Sequence, residues 1–256
     1  MSEILTRRKL ITAGLATAAG ASGIAIAGRL ANRYGLIPPD HGGFYGVGET
    51  LTYAAQRVLM SHHSLAREFN RSDISKVAPV NGEPPEDGKY QRLLAGDFRE
   101  FRLIVEGLVA RPSAFSLADL KAFPARTQIT HQACEEGWSF IAEWTGVPLS
   151  HMLNVVGVST RAKYVVFIPF DFTKIMWDSL DMPEAWHPQT LLAYGMNGQD
   201  LPAGHGAPVR LRVPRQLGYK SVKYLSTIRL VDSVNNIGKG LGASGPEFGY
   251  SWYAGI

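Results

Sequence analysis

The chain has 256 residues, 45% of them hydrophobic and 19% charged. This is a globular balance that excludes a mainly disordered chain or a coiled coil. A single cysteine excludes an internal disulfide framework and a cysteine-rich zinc site. The formal net charge is +4, but Glu3, Arg7, Arg8 and Lys9 contribute half of it, so the remaining chain is too weakly basic to suggest a nucleic-acid partner.

Residues 1–27 read as an export segment. Thr6-Arg7-Arg8-Lys9-Leu10-Ile11 is a paired-arginine head, an Ala/Gly-rich apolar run extends from Ile11 to Ala27, and Ala25-Ile26-Ala27 is a small-x-small cleavage signature. The pattern resembles a twin-arginine signal, which exports proteins already folded. The expected location is periplasmic, or membrane-anchored if the segment is not cleaved. An ordinary secretory signal is the alternative.

Downstream, a Gly-rich stretch at 42–48 precedes a helical pattern from Leu51 to Met60, and Asn81 to Lys89 reads as a Gly/Pro/acidic loop. The run 101–109 reads as a strand ending in a turn. Ser116 is placed to cap a helix, with Asp119 three residues on. Strands are expected at 126–133, 164–168 and 224–231, and a short helix at 149–156. Asn197-Gly198 between apolar flanks predicts a tight turn. Alternation over 209–213 puts Arg210 and Arg212 on one face. Strands interleaved with short helices, without the long βαβ rhythm, give an α+β class with mixed sheets.

Two features carry chemistry. Cys134 follows a strand and precedes Glu135-Glu136-Gly137-Trp138, which suits a cleft-facing thiolate ligand for a soft or high-valent metal. A buried inert thiol, or a nucleophile paired with His131, remains open, although Glu135 and Glu136 would raise a thiol pKa. From Leu201 to Val231 there is no acidic residue, while His205, Arg210, Arg212, Arg215, Lys220, Lys223 and Arg229 are present. Such one-sign charge among glycines fits a small anionic ligand, or otherwise a solvated basic face. Two motifs are decoys. Gly240 to Gly245 matches G-x-G-x-x-G but is followed by Pro246 with no room for a dinucleotide fold, and His62-His63 lacks a zinc-protease context.

Cys134-Glu135-Glu136-Gly137-Trp138-Ser139 with Trp144-Thr145-Gly146-Val147-Pro148-Leu149 resembles the cysteine segment of the sulfite oxidase family of molybdopterin enzymes. The likeness is closest to the bacterial exported branch that includes the methionine sulfoxide reductase catalytic subunit. His205-Gly206-Ala207-Pro208-Val209-Arg210 and Gly218-Tyr219-Lys220-Ser221-Val222-Lys223 resemble the same family's pterin-binding stretch. The likeness implies a sulfite-oxidase-like fold and a mononuclear molybdenum-molybdopterin cofactor with Cys134 as the metal ligand. It also implies that His205, Arg210, Ser221, Val222 and Lys223 hold the pterin and its phosphate, and that Arg67 and Glu68 contact the cofactor from the N-terminal side.

Three positions depart from the pattern. His205 replaces the asparagine of that branch, and Pro169 stands in place of a threonine. Glu135-Glu136 replaces the arginine-rich continuation of sulfite oxidases, which argues against a dianionic sulfite substrate.

The implied enzyme is an oxidoreductase acting by oxygen-atom or two-electron transfer on a small substrate, such as a sulfur- or nitrogen-containing one. Asp171, with Trp177, is a candidate for the substrate funnel; Asp171 is equally expected as a solvated turn aspartate. A monomer is expected, exchanging electrons with a separate carrier such as a membrane haem or quinone protein. A metal-free thiol enzyme and a non-catalytic pterin-binding module are the alternatives. The chain divides into the signal (1–27), an N-terminal extension (28–97), the cofactor-binding core (98–235) and a C-terminal tail (236–256).

Overall fold

A computed structural model describes residues 28–59 and 64–256. The export segment 1–27 and His62-His63 lie outside the described residues.

Among the described residues, ten strands form two sheets. The first contains β1 (Leu103–Gly107), β2 (Ser113–Phe115), β5 (Tyr164–Pro169), β6 (Asp178–Asp181) and β10 (Leu225–Val231), in the order β2-β1-β10-β5-β6. The second contains β3 (Arg126–Ala133), β4 (Ser139–Pro148), β7 (Leu191–Met196) and β8 (Gln199–Asp200) in that order, with β9 (Arg210–Arg212) also pairing with β7. Only β1 and β10 run parallel, in register Val105 to Ile228; the other pairs are antiparallel. This is the expected α+β class; the first sheet is mixed, while the second is wholly antiparallel.

Short helices fill the gaps: α1 (Val47–Leu59), α2 (Gly88–Ala95), α3 (Leu117–Ala122), α4 (Leu149–Val156), α5 (Met182–Ala185) and α6 (Ser244–Glu247). Ser116 caps α3 as expected: its hydroxyl accepts from the Asp119 amide at 3.0 Å, and the Asp119 carboxylate accepts from the Ser116 amide at 2.8 Å. In α4, Leu149, Met152, Leu153 and Val156 recur at helical spacing, and all four are fully buried. Each such burial is worth roughly 1.5–3 kcal/mol. They join Val105, Phe167 and Ile228 of the first sheet and Val147, Leu192 and Leu211 of the second in one core, so the two sheets pack as a unit.

Several boundaries differ from the sequence reading. The strand expected over 101–109 is limited to β1, because Phe101 enters the core from the preceding turn and Leu108 already bonds to the Leu230 carbonyl. Strand β4 had no strand signal, since Gly146 and Pro148 break its apolar run; it is the central strand between β3 and β7, with a register shift at Thr145/Gly146. Asn197-Gly198 makes the expected turn between β7 and β8, with φ of 51° and 77°, both in the region that two-residue hairpins need.

Buried ion pairs seat the N-terminal segment. Arg57 on α1 reaches Asp181 at 2.7 Å and Glu184 at 3.3 Å, and Arg215 reaches Glu184 at 2.8 Å. The Tyr53 hydroxyl donates to Asp181 at 2.9 Å. The C-terminal stretch closes over the same region, with Trp252 and Tyr253 buried against Tyr53.

Candidate active site

Strand β3 ends at Ala133, and Cys134 stands at the first corner of the loop into β4. Its amide donates to the Trp138 carbonyl at 2.9 Å, and the Gly137 amide donates back to the Cys134 carbonyl at 3.1 Å. This closed turn holds the thiol on the wall of a cleft of about 410 Å³. The thiol donates to the Glu135 carboxylate at 3.3 Å, with Glu136 at 3.9 Å. Burial, with the two carboxylates adding to it, pushes the thiol up to about 11. A free nucleophile needs the opposite shift, and His131 does not line the cleft.

The same cleft is lined by His205, Arg210, Ser221, Val222 and Lys223. Arg210 is buried on β9; it donates to the carbonyls of His205 and Ser221, each at 2.9 Å, and sits 5.1 Å from the Trp144 ring centre. His205 closes a 3-10 turn and packs edge-on against Phe140 at 5.9 Å. Burial, with Arg210 and Lys223 nearby, pushes its imidazole down to about 4. Burial and Arg210 likewise lower the Lys223 ammonium to about 8. That ammonium donates to the carbonyls of Asn81 at 2.6 Å and Gly204 at 2.9 Å. The next residue, Tyr224, holds φ at 57°, a left-handed conformation that costs a non-glycine residue roughly 1–3 kcal/mol.

The acid-free strip does not converge as one cluster. Lys220 is fully buried and bonded to Asp178, Arg215 is held by Glu184, and Arg229 pairs with Glu106 at the surface. Each finds its carboxylate on a segment far away in sequence, which the composition of 201–231 could not show. Arg210, Arg212 and Lys223 have no carboxylate partner among the described residues.

Other expected site residues lie elsewhere. Arg67 stacks on Phe69 at 4.7 Å, and Glu68 is bonded to Arg126 and to Gln189; neither lines the cleft. Asp171 accepts from the Thr173 hydroxyl at 2.6 Å and from the amides of Thr173 and Lys174, which makes it a turn-capping aspartate outside the cleft lining. Those bonds hold its carboxyl below the ordinary range. Trp177 is buried against Val166 and Val234, and its neighbours Ile175 and Met176 face the cleft instead. The Gly/Pro/acidic loop expected from Asn81 to Lys89 lines the cleft through residues 81–86, with Pro79 beside it. Lys223 ties it down at Asn81, and Lys174 reaches Glu86 at 2.5 Å. Its density of proline was the one available signal of a rigid wall.

The geometry fits an anionic, many-atom ligand. On the cleft, the buried Arg210 guanidinium and the desolvated Lys223 ammonium have no carboxylate within ion-pair distance among the described residues, and burying such charge unpaired is costly. The amides of Val222 and Lys223 have no acceptor among the described residues; on the cleft wall the buried Gln132 Oε1 has no donor and the buried Tyr224 hydroxyl no partner among them. Gly218 is the close-approach point: a Cβ there would lie 2.8 Å from Gln132 Nε2 and 3.1 Å from the Ala133 carbonyl.

A buried thiol therefore shares one cleft, lined by the second sheet and the loops around it, with a buried guanidinium and a desolvated ammonium. The family profile of the oxidoreductase molybdopterin binding domain matches residues 91–237. YedZ1 of Azospira oryzae, provisionally named a protein-methionine-sulfoxide reductase subunit, is 37% identical over 77% of this chain and 70% of its own length. The protein-methionine-sulfoxide reductase catalytic subunit MsrP of Xanthomonas campestris is 39% identical over 51% of this chain and 44% of its own. Among solved structures, the sulfane dehydrogenase SoxCD of Paracoccus pantotrophus matches with a TM-score of 0.50 and 28% identity, covering 53% of this chain and 39% of that one. The chain belongs to the molybdopterin-binding oxidoreductase family of sulfite-oxidase-like enzymes. It spans less than half the length of MsrP and SoxCD.

Proposed function

We propose that this protein is an exported mononuclear molybdenum oxidoreductase that transfers an oxygen atom, or two electrons, to or from a small neutral substrate such as a sulfoxide or amine oxide. The observation that carries the reading is the convergence on one cleft of Cys134 and the carboxylate-free cations Arg210 and Lys223.

The bound molybdenum-molybdopterin would supply the two-electron redox centre. Cys134 would be its protein ligand; a thiolate suits a soft or high-valent metal, and coordination replaces the proton that the free thiol retains. Arg210, Lys223, His205 and the free amides at Val222 and Lys223 would hold the phosphate and pterin edge, with Ser221 fixing the strand through its bonds to Val213 and Arg210. Trp138, Phe140, Ile175 and Met176 give the cleft an apolar wall that excludes water and seats an uncharged substrate. Glu83, Glu86 and Glu135 on the cleft repel a dianion, which disfavours sulfite. No second redox centre is visible in the sequence, so electrons would pass to or from a separate carrier, such as a membrane haem or quinone protein. The paired arginines at 7 and 8 support folded export to the periplasm.

The test is elemental and pterin analysis of the full chain and of Cys134→Ser, both produced in a host that makes the cofactor. About one molybdenum per wild-type chain, with the centre altered or lost in the variant, is expected. A folded wild type with neither metal nor pterin overturns the reading.

A further inference from the structure

Helix α1 is oriented against the usual rule for a surface helix. Its two charged residues face the protein: Glu49 is buried, and Arg57 is held by Asp181 and Glu184. Its outer face carries Val47, Leu51, Ala55 and Leu59 at i, i+4 spacing, all exposed, with Val47 at 75%, Leu51 at 64% and Leu59 at 68%. Gly48 and Thr52 complete that face, so it bears no charge. Phe44 and Tyr45 precede it, also exposed and packed edge-on at 5.5 Å. An amphipathic helix with its apolar face outward, fixed by buried ion pairs, is built to meet something apolar.

The surrounding sequence indicates what that is. The apolar run 11–27 ends directly before a helical stretch at 28–33, on which Arg29 and Arg33 are exposed. From residue 11 to 59 the order is an apolar run, two basic residues, an aromatic pair and an apolar helix face. That is the order of a chain leaving a bilayer through anionic headgroups and lying back on its surface. No helix among the described residues is long and apolar enough to cross a membrane, so α1 can lie on a bilayer but not span it.

We propose that the outer face of α1, with Phe44 and Tyr45, rests on a phospholipid surface and holds the domain there in a fixed orientation. This inference is independent of the cofactor reading; it requires that residues 11–27 remain attached to the chain.

The test uses the full chain bound to vesicles of phosphatidylethanolamine and phosphatidylglycerol. A photoreactive residue is introduced as Leu51→p-benzoylphenylalanine, or as Val77→p-benzoylphenylalanine at an equally exposed apolar position away from α1. Both sites are on the surface, so folding is preserved. Lipid adducts at position 51 in about tenfold excess over position 77 are expected. Adducts to residues 1–27 or to a second copy, equal lipid labelling at both sites, no adduct at 51 on bound protein, or failure of the chain to bind the vesicles each overturn it.

Discussion

The guanidinium groups of Arg210 and Arg212 flank one ring, that of Trp144, at 5.1 and 5.4 Å from its centre. Both arginines are buried, and neither meets a carboxylate among the described residues. Period-two alternation puts them on one face of β9, and Trp144 on β4 is where that face leads. Arg212 is further held by the carbonyl of His131 at 2.6 Å, on the strand β3 that leads into Cys134. The pair therefore ties β9 to β4 through Trp144 and to β3, the strand that precedes Cys134, through His131.

Arg210→Lys should keep the charge yet lose the fork that bridges the His205 and Ser221 carbonyls, since one ammonium cannot reproduce both planar bonds. Pterin content measured on purified protein should fall about tenfold or more, while the far-ultraviolet circular dichroism spectrum stays unchanged. Full pterin content in the variant would show that the fork does not organise the site.

Acid should destabilise the cofactor-free chain partly through His205. Burial and the neighbouring cations lower its folded pKa to about 4, below the 6.5 of an ordinary histidine. Between those values the unfolded chain binds more protons, so stability rises with pH across this window and is lost as pH falls through it. His187 is lowered to about 4 as well, by burial and Arg215, and acts in the same sense. The expected outcome is that His205→Asn melts closer to wild type, or above it, at pH 4.5 than at pH 7, as read by thermal scans at both pH values. A gap independent of pH would contradict the assignment.

Glu184→Gln should be strongly destabilising. The residue is fully buried and receives both Arg57 and Arg215. Burial opposes its charge, but the Arg215 bonds and both guanidiniums hold its carboxyl below the ordinary range. Neutralising it leaves the buried Arg215 without a carboxylate partner among the described residues, while Arg57 keeps Asp181, at a cost of about 3–5 kcal/mol. Urea unfolding of the two proteins measures this directly; a loss under about 1 kcal/mol would mean that the network is solvated.

Gly218→Ala should disturb the thiol corner without touching the thiol. The added methyl meets Gln132 Nε2 at 2.8 Å and the Ala133 carbonyl at 3.1 Å; the amide can swing away, but the strand backbone cannot do so freely. A stability loss of about 1–3 kcal/mol is expected, together with lowered metal content. Unchanged metal content at full stability would show that the β3 end tolerates displacement.

Local signals read well. The Ser116–Asp119 cap, β3, α4 and the Asn197-Gly198 turn depend on residues within a few positions of one another, and they stand where the sequence placed them. Cys134, His205, Arg210, Ser221, Val222 and Lys223 were legible through motif resemblance and do line one cleft. Strand β4 was not legible, because its stability comes from two flanking strands rather than from its own composition.

From its residues alone, the α+β class, a cysteine at a strand end on a cleft and the segment that carries positive charge could be read, because these follow from residue type and short spacing. Which of those charges remain free could not. Asp178 and Glu184 capture Lys220 and Arg215 across dozens of residues and leave Arg210, Arg212 and Lys223 unpaired. The wall built from loop 79–86 and the outward apolar face of α1 are likewise long-range outcomes. A charge or an apolar side chain acquires a role only when folding determines its neighbours, and those neighbours come from distant parts of the chain.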